Sequence, residues 1–118
     1  RGKLLSETLR WDLEWGEHLE DLVEMRKSGM PVPALDRRPA PPFEYRYYLR
    51  MFKILNRDRR IDGMGGFGYI PITAFESYCN LFGITSYEDR DRLLGMMHRL
   101  DDTFVEYQAE RAAKKTGS

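Results

Sequence analysis

The sequence has one cysteine, Cys79, two histidines, His18 and His98, and no net charge. A lone cysteine excludes an internal disulfide. Neither histidine has a cysteine or a second histidine at zinc-ligand spacing, so no metal site and no cofactor is expected. Nineteen Lys and Arg balance nineteen Asp and Glu, which removes the overall field that draws a protein to nucleic acid or to an anionic membrane; only local patches can argue for either. No apolar run approaches the roughly 20 residues of a bilayer span, and no signal peptide opens the chain. The single thiol fits a reducing cytosol. Arg1 stands where a methionine would start a chain, so a fragment or a processed protein with sequence upstream is expected. No internal repeat is present.

What the sequence does contain is enough for one small domain with an added element: 118 residues, 42% hydrophobic and 32% charged, a balance that supports a core and a solvated surface. From Ser6 to Ser28, Trp11, Trp15, Leu22 and Met25 recur at helical spacing, while Glu14, Glu17, Asp21 and Glu24 form an acidic line. This predicts an amphipathic helix with Ser6 as N-cap, Gly29 at C′ and a weak point at Gly16. Five of the six prolines then fall in residues 29–42, which reads as an extended connector. A third region, 43–118, carries the rest.

There, Phe43 to Arg57 predicts a core helix after Pro42, with Tyr45, Tyr48, Phe52 and Leu55 inward and Arg46, Arg50, Lys53 and Arg57 at steps of four, three and four. Thr73 with Glu76 three residues on predicts a capping box for a short helix ending at Gly83. Ser86 predicts the N-cap of a last helix whose buried line is Leu93, Met97, Leu100, Phe104 and Tyr107, with Arg111, Lys114 and Lys115 at its negative end. Only "FGYIPI" alternates like a strand, and Pro71 limits it. The expected fold is all-α: about three helices in a compact unit, preceded by a Pro-linked helix that the linker lets fold back, swap onto a second copy or meet a partner.

Residues 63–68, "GMGGFG", spell G-x-G-x-x-G, yet the flanks refuse a nucleotide. A buried strand must lead in and a helix must begin at the motif; here "NRDRRID" is too charged for the strand, and "YIPIT" delays the helix. The glycines read as a turn-rich hinge, with Met64, Phe67 and Tyr69 as candidate partner contacts. Trp11, Trp15 and Tyr48 are further candidates, since a tryptophan left wet is costly unless it packs or anchors a partner. Arg46, Arg50, Lys53, Arg57, Arg59 and Arg60 form a basic ridge beside tyrosines. Zero net charge and the absence of a nucleic-acid motif favour a solvated face, pairing with the acidic line of the first helix, over nucleic acid. Cys79 reads as a small buried side chain, and Asp101 and Asp102 point to different sides of a helix. No catalytic set is recognisable, so no enzyme is expected.

The stretches "PALDRRP", "YLRMFKILNRDRR", "GMGGFGYIPITAFESYCNLFGI" and "LLGMMHRLDDTFVEYQAE" resemble the tail assembly chaperones of long-tailed bacteriophages, in particular the downstream, frameshift-made kind. The resemblance covers about Pro33 to Glu110. Tyr48 stands where members often have Trp, Tyr69 intervenes before the Pro-Ile pair, and the helix from Ser6 to Ser28 has no counterpart. The resemblance implies a non-enzymatic factor of the host cytoplasm that binds hydrophobic helical segments of the tape-measure protein, helps recruit tail-tube subunits, and is compatible with a homo-oligomer. A small phage nucleic-acid-binding or host-regulating protein acting through the basic helix is the alternative.

Overall fold

The structure is a computed structural model that describes residues 2–61 and 66–117. Its elements follow in order as α1 (Gly2–Trp15), a 3₁₀ turn (Gly16–His18), α2 (Leu19–Lys27), α3 (Pro33–Asp36), α4 (Tyr45–Asn56), α5 (Ile72–Leu81) and α6 (Tyr87–Gly117). Among the described residues there is no strand, only an isolated antiparallel bridge between Ile61 and Phe67. The all-α expectation holds.

Glycine and serine punctuation decides most helix ends. Gly29 and Gly83 both take positive φ and close their helices as Schellman motifs: the N–H of Met30 reaches Met25 O at 3.1 Å, and that of Ile84 reaches Cys79 O at 2.9 Å. Ser86 Oγ accepts the Asp89 N–H at 3.3 Å, so the expected cap of α6 is in place. Two expected caps are not. The first helix already begins at Gly2, which leaves Ser6 inside it. The helix α5 begins at Ile72 behind an extended Pro71, which puts Thr73 within the first turn, where its side chain makes no cap bond. Gly16 does more than weaken the first helix: it opens the 3₁₀ turn that separates α1 from α2.

The 31 residues of α6 make a rod of about 46 Å, and α1 and α4 both pack along it. One core joins Leu5 and Leu9 of α1, Met51, Phe52 and Leu55 of α4, Phe75 and Cys79 of α5, and Leu93, Met97, Leu100 and Phe104 of α6. Each such side chain contributes about 2 kcal/mol on leaving water. The first helix therefore docks on its own chain, reinforced by an Arg10–Glu110 ion pair at 2.6 Å and by Arg10 lying over the Tyr107 ring.

A second cluster holds the proline-rich stretch. Trp11, Leu22, Val32 and Ala34 are buried together, with Trp15 half-buried at their edge. The Trp11 Nε1–H donates to Ala34 O at 2.9 Å, and the Arg38 guanidinium lies 5.0 Å from the Trp11 ring centre. Arg26 pairs with Asp36 and also donates to Val32 O. So residues 29–42, read as a connector without an element, contain the single turn α3, opened by Pro33 at a position where proline's fixed φ suits a helix start.

Between α1 and α4 runs a groove of about 550 Å³, whose lining includes Asp12, Arg38 and Lys53. Burial pushes the Asp12 carboxyl up from 3.8, while Lys53 and Arg38 pull it partly back. Because the folded chain then holds this proton to higher pH than the unfolded chain, ionising Asp12 costs stability as pH rises through the folded-state value.

Two predictions follow from this packing. Asp12→Asn should raise the melting temperature at pH 7, and the gain should vanish as pH falls below 3.8, where the carboxyl is protonated in both states. Trp11→Phe should cost about 1 kcal/mol through the lost hydrogen bond and speed tryptic cleavage after Arg37, measured by limited proteolysis.

Candidate partner-binding site

The loop between α4 and α5 is fastened by a charged side chain that turns inward. After α4 ends, Arg59 folds back so that its side chain is only 4% exposed. Its Nε donates to Asn56 Oδ1 at 2.6 Å and its Nη1 to Gly68 O at 2.8 Å. Nη1 also lies 2.6 Å from Oδ1 of Asp101, itself 2% exposed; that contact lies off the hydrogen-bonding line, so its attraction is chiefly Coulombic. The other carboxylate oxygen, Oδ2, accepts the Ile70 N–H at 2.9 Å. The guanidinium stands 4.1 Å from the Phe104 ring centre, on which Phe67 packs edge-on at 5.3 Å. Gly68 donates to Arg60 O at 2.9 Å, and a Cβ there would meet that same oxygen at 3.3 Å. The glycine is thus required by close backbone approach.

Large apolar side chains stay exposed along the fastened loop and at the starts of α5 and α6. Phe67 keeps 41% of its surface, Tyr69 60% and Ile72 60%, and Tyr87 at the start of α6 is 79% exposed. Between the first turns of α5 and α6 lies a groove of about 460 Å³ with Phe75 and Leu94 among its lining residues, Ile72 and Tyr87 beside them, and Glu76, Arg90 and Asp91 completing it. Arg90 is held in place by Ile84 O at 2.7 Å and Asn80 Oδ1 at 2.9 Å. An apolar centre with a polar margin is the anatomy of a protein-binding patch, and the groove's shape suits an amphipathic helix.

The residues singled out in the sequence separate into three groups. Phe67 packs on Phe104 and lines a separate cavity of about 420 Å³ against Val105 and Ala109 of α6, and Tyr69 is exposed on the loop; neither lines the groove between α5 and α6. Trp11 is buried and Trp15 half-buried in the second cluster, and Tyr48 is half-buried between Tyr45 and Tyr47, beside a small cleft with Asp89 and Arg92. Met64 lies outside the described residues, as do Gly63 and Gly65. Of the basic ridge, Arg46, Arg50, Lys53, Arg57 and Arg60 are exposed, while the Arg59 side chain leaves the ridge for the interior. Among the described residues none of Arg46, Arg50, Lys53 and Arg57, on α4 and its C-cap, makes an ion pair with the acidic line of the first helix.

Ile72, Tyr87 and the Arg59–Asp101 pair were not among the candidates read from the sequence. The aspartate's place in the apolar line of α6, one residue after Leu100, was the available signal. Elsewhere, burial pushes up the Cys79 thiol, and Tyr78 is pushed up to about 12 by burial and by its bond to Tyr47. Both groups are neutral at physiological pH. Among the described residues no His, Cys, Asp and Glu cluster could hold a metal ion, and no helix is long and apolar enough to cross a membrane.

A family model for phage tail assembly chaperones matches residues 25–106, more than half of the chain. Comparison with curated proteins and with solved structures gives no match.

The Arg59–Asp101 pair yields a sharp expectation. Asp101→Ala leaves a buried guanidinium without its counter-charge and should cost about 3–5 kcal/mol, read by chemical denaturation. Arg59→Met combined with Asp101→Leu should cost clearly less than the sum of the two single changes.

Proposed function

The chain belongs to the phage tail assembly chaperone family, and we propose that it acts by binding, without catalysis, to hydrophobic helical segments of the tape-measure protein in the host cytoplasm, and that it helps recruit tail-tube subunits to the complex. A long apolar helix in water aggregates because its stripe has no partner; a chaperone removes that stripe from solvent while leaving it releasable. The observation that carries this reading is the groove between α5 and α6, with Ile72 and Tyr87 exposed beside Phe75 and Leu94. A client helix laid there exchanges its own apolar anchors for these, at i, i+3 or i+4 spacing.

The basic helix supports the nucleic-acid alternative less well. Its most distal part loses Arg59 to the ion pair with Asp101; Phe43 and Tyr47 are exposed beside the ridge, so what weighs against nucleic acid is that loss together with the zero net charge.

Co-expression with the tape-measure protein of the same phage tests the reading. The expected result is a soluble client that co-purifies with this chain. Ile72→Asp with Tyr87→Asp should leave the melting temperature unchanged, since both side chains are exposed, and weaken capture at least about tenfold, the effect of losing an anchor worth about 2 kcal/mol. Client that stays insoluble and does not co-purify would overturn the chaperone reading; capture unaffected by the double change would move the site elsewhere.

A further inference from the structure

Two charged strips remain on the surface of this neutral chain. On α4, Arg46, Arg50, Lys53 and Arg57 are all exposed. Arg50 and Arg57 have no ion pair among the described residues, Arg46 lies over the Phe43 ring, and Lys53 faces Asp12 across the groove. On α1 and α2, Glu14, Glu17, Asp21 and Glu24 are likewise exposed. Glu14 and Asp21 have no ion pair among the described residues, and Glu17 and Glu24 have only His18 and Lys27 of their own segment, each at 3.8 Å.

The strips match in length and in edge. The acids step by three, four and three residues across α1, the 3₁₀ turn and α2, and the bases by four, three and four along α4 and its C-cap, so both cover about 15–17 Å at helical rise. Beside the basic strip stand Phe43, Tyr47 and Ile54, and beside the acidic one stand Met25 and Met30, all counted among the exposed large hydrophobic side chains. Within one molecule Glu17 and Lys53 line the same groove between α1 and α4, and no ion pair joins the two strips among the described residues. A polyanion would complement the basic strip and leave the acidic one unused. A second copy of this chain complements both.

We propose that the basic strip of α4 docks on the acidic strip of α1 and α2 of a second copy, so that the chaperone self-associates through its own charge segregation. The contact lies apart from the groove between α5 and α6, and the inference does not rest on the client reading. Its apolar edges give the contact a desolvated seam, and its charges set register and make it weaken with salt.

Sedimentation velocity of the full chain across a concentration series tests it. At low ionic strength the wild type should show a concentration-dependent rise above the monomer mass, lost at about 0.5 M salt, where the Debye length is well under 10 Å. The basic-strip reversal Arg50→Glu with Arg57→Glu, and the acidic-strip reversal Glu14→Lys with Asp21→Lys, should each be monomeric and retain the wild-type melting temperature. Mixed one to one, these two variants should associate, and a chain carrying all four changes should regain self-association. A wild type that is monomeric at every concentration and salt, or single-strip variants that associate as the wild type does, would overturn the proposal. So would an α4 reversal that abolishes RNA retention or tape-measure capture while leaving the mass distribution untouched.

Discussion

The loop that leads into α5 depends on a cation placed where a cation is costly. Desolvating the Arg59 guanidinium and the Asp101 carboxylate opposes folding; their attraction offsets part of that cost, helped by the bonds from the arginine to Asn56 and Gly68 and from the Ile70 N–H to the aspartate, while Arg59 Nη2 and Asp101 Oδ1 keep no hydrogen-bond partner. In return, three separate elements are tied at one point: the end of α4, the strand-like stretch after the glycines, and the middle of α6. An apolar pair of similar size would fill the space, but it would not specify which backbone amide and which carbonyl must face it.

The second constraint is the length of α6. A helix of 31 residues offers more apolar surface than α4 and α5 can cover, and α1 covers part of the remainder through Leu5 and Leu9. This is why the first helix is part of the core, and why the proline-rich stretch behaves as a strap: with α1 fixed on α6 and Trp11 bonded to Ala34, residues 29–42 are held at several points along their length.

Much of this architecture was legible in the sequence, and the failures share a cause. Periodic apolar spacing marked α4 and α6 because burial of one helix face imposes that period, and Gly29, Gly83 and Ser86 marked ends because their roles are local. Arg59 looked like the next member of a basic ridge, since it stands next to Arg60 and two positions after Arg57, and only the partner 42 positions on, Asp101, distinguishes it. Ser6 and Thr73 satisfied the local rule for caps, but α1 starts earlier to reach α6 and Pro71 takes the cap position of α5. The strap was read as an extended connector because proline content reports missing backbone donors and says nothing of the Trp11 N–H that bonds to Ala34 O in the turn. The exposed groove was least legible of all: Ile72 and Tyr87 are ordinary apolar letters until the packing leaves them outside.

The docking of α1 on α6 has a kinetic consequence. The ion pair that seals it joins residues 100 positions apart, so the earliest helix of this segment to leave the ribosome cannot bury Leu5 and Leu9 until the last one has emerged. Long-range contacts of this kind slow folding and prolong the exposure of unpartnered apolar faces. A member of a chaperone family must therefore itself pass through an interval in which its first helix has an uncovered apolar face.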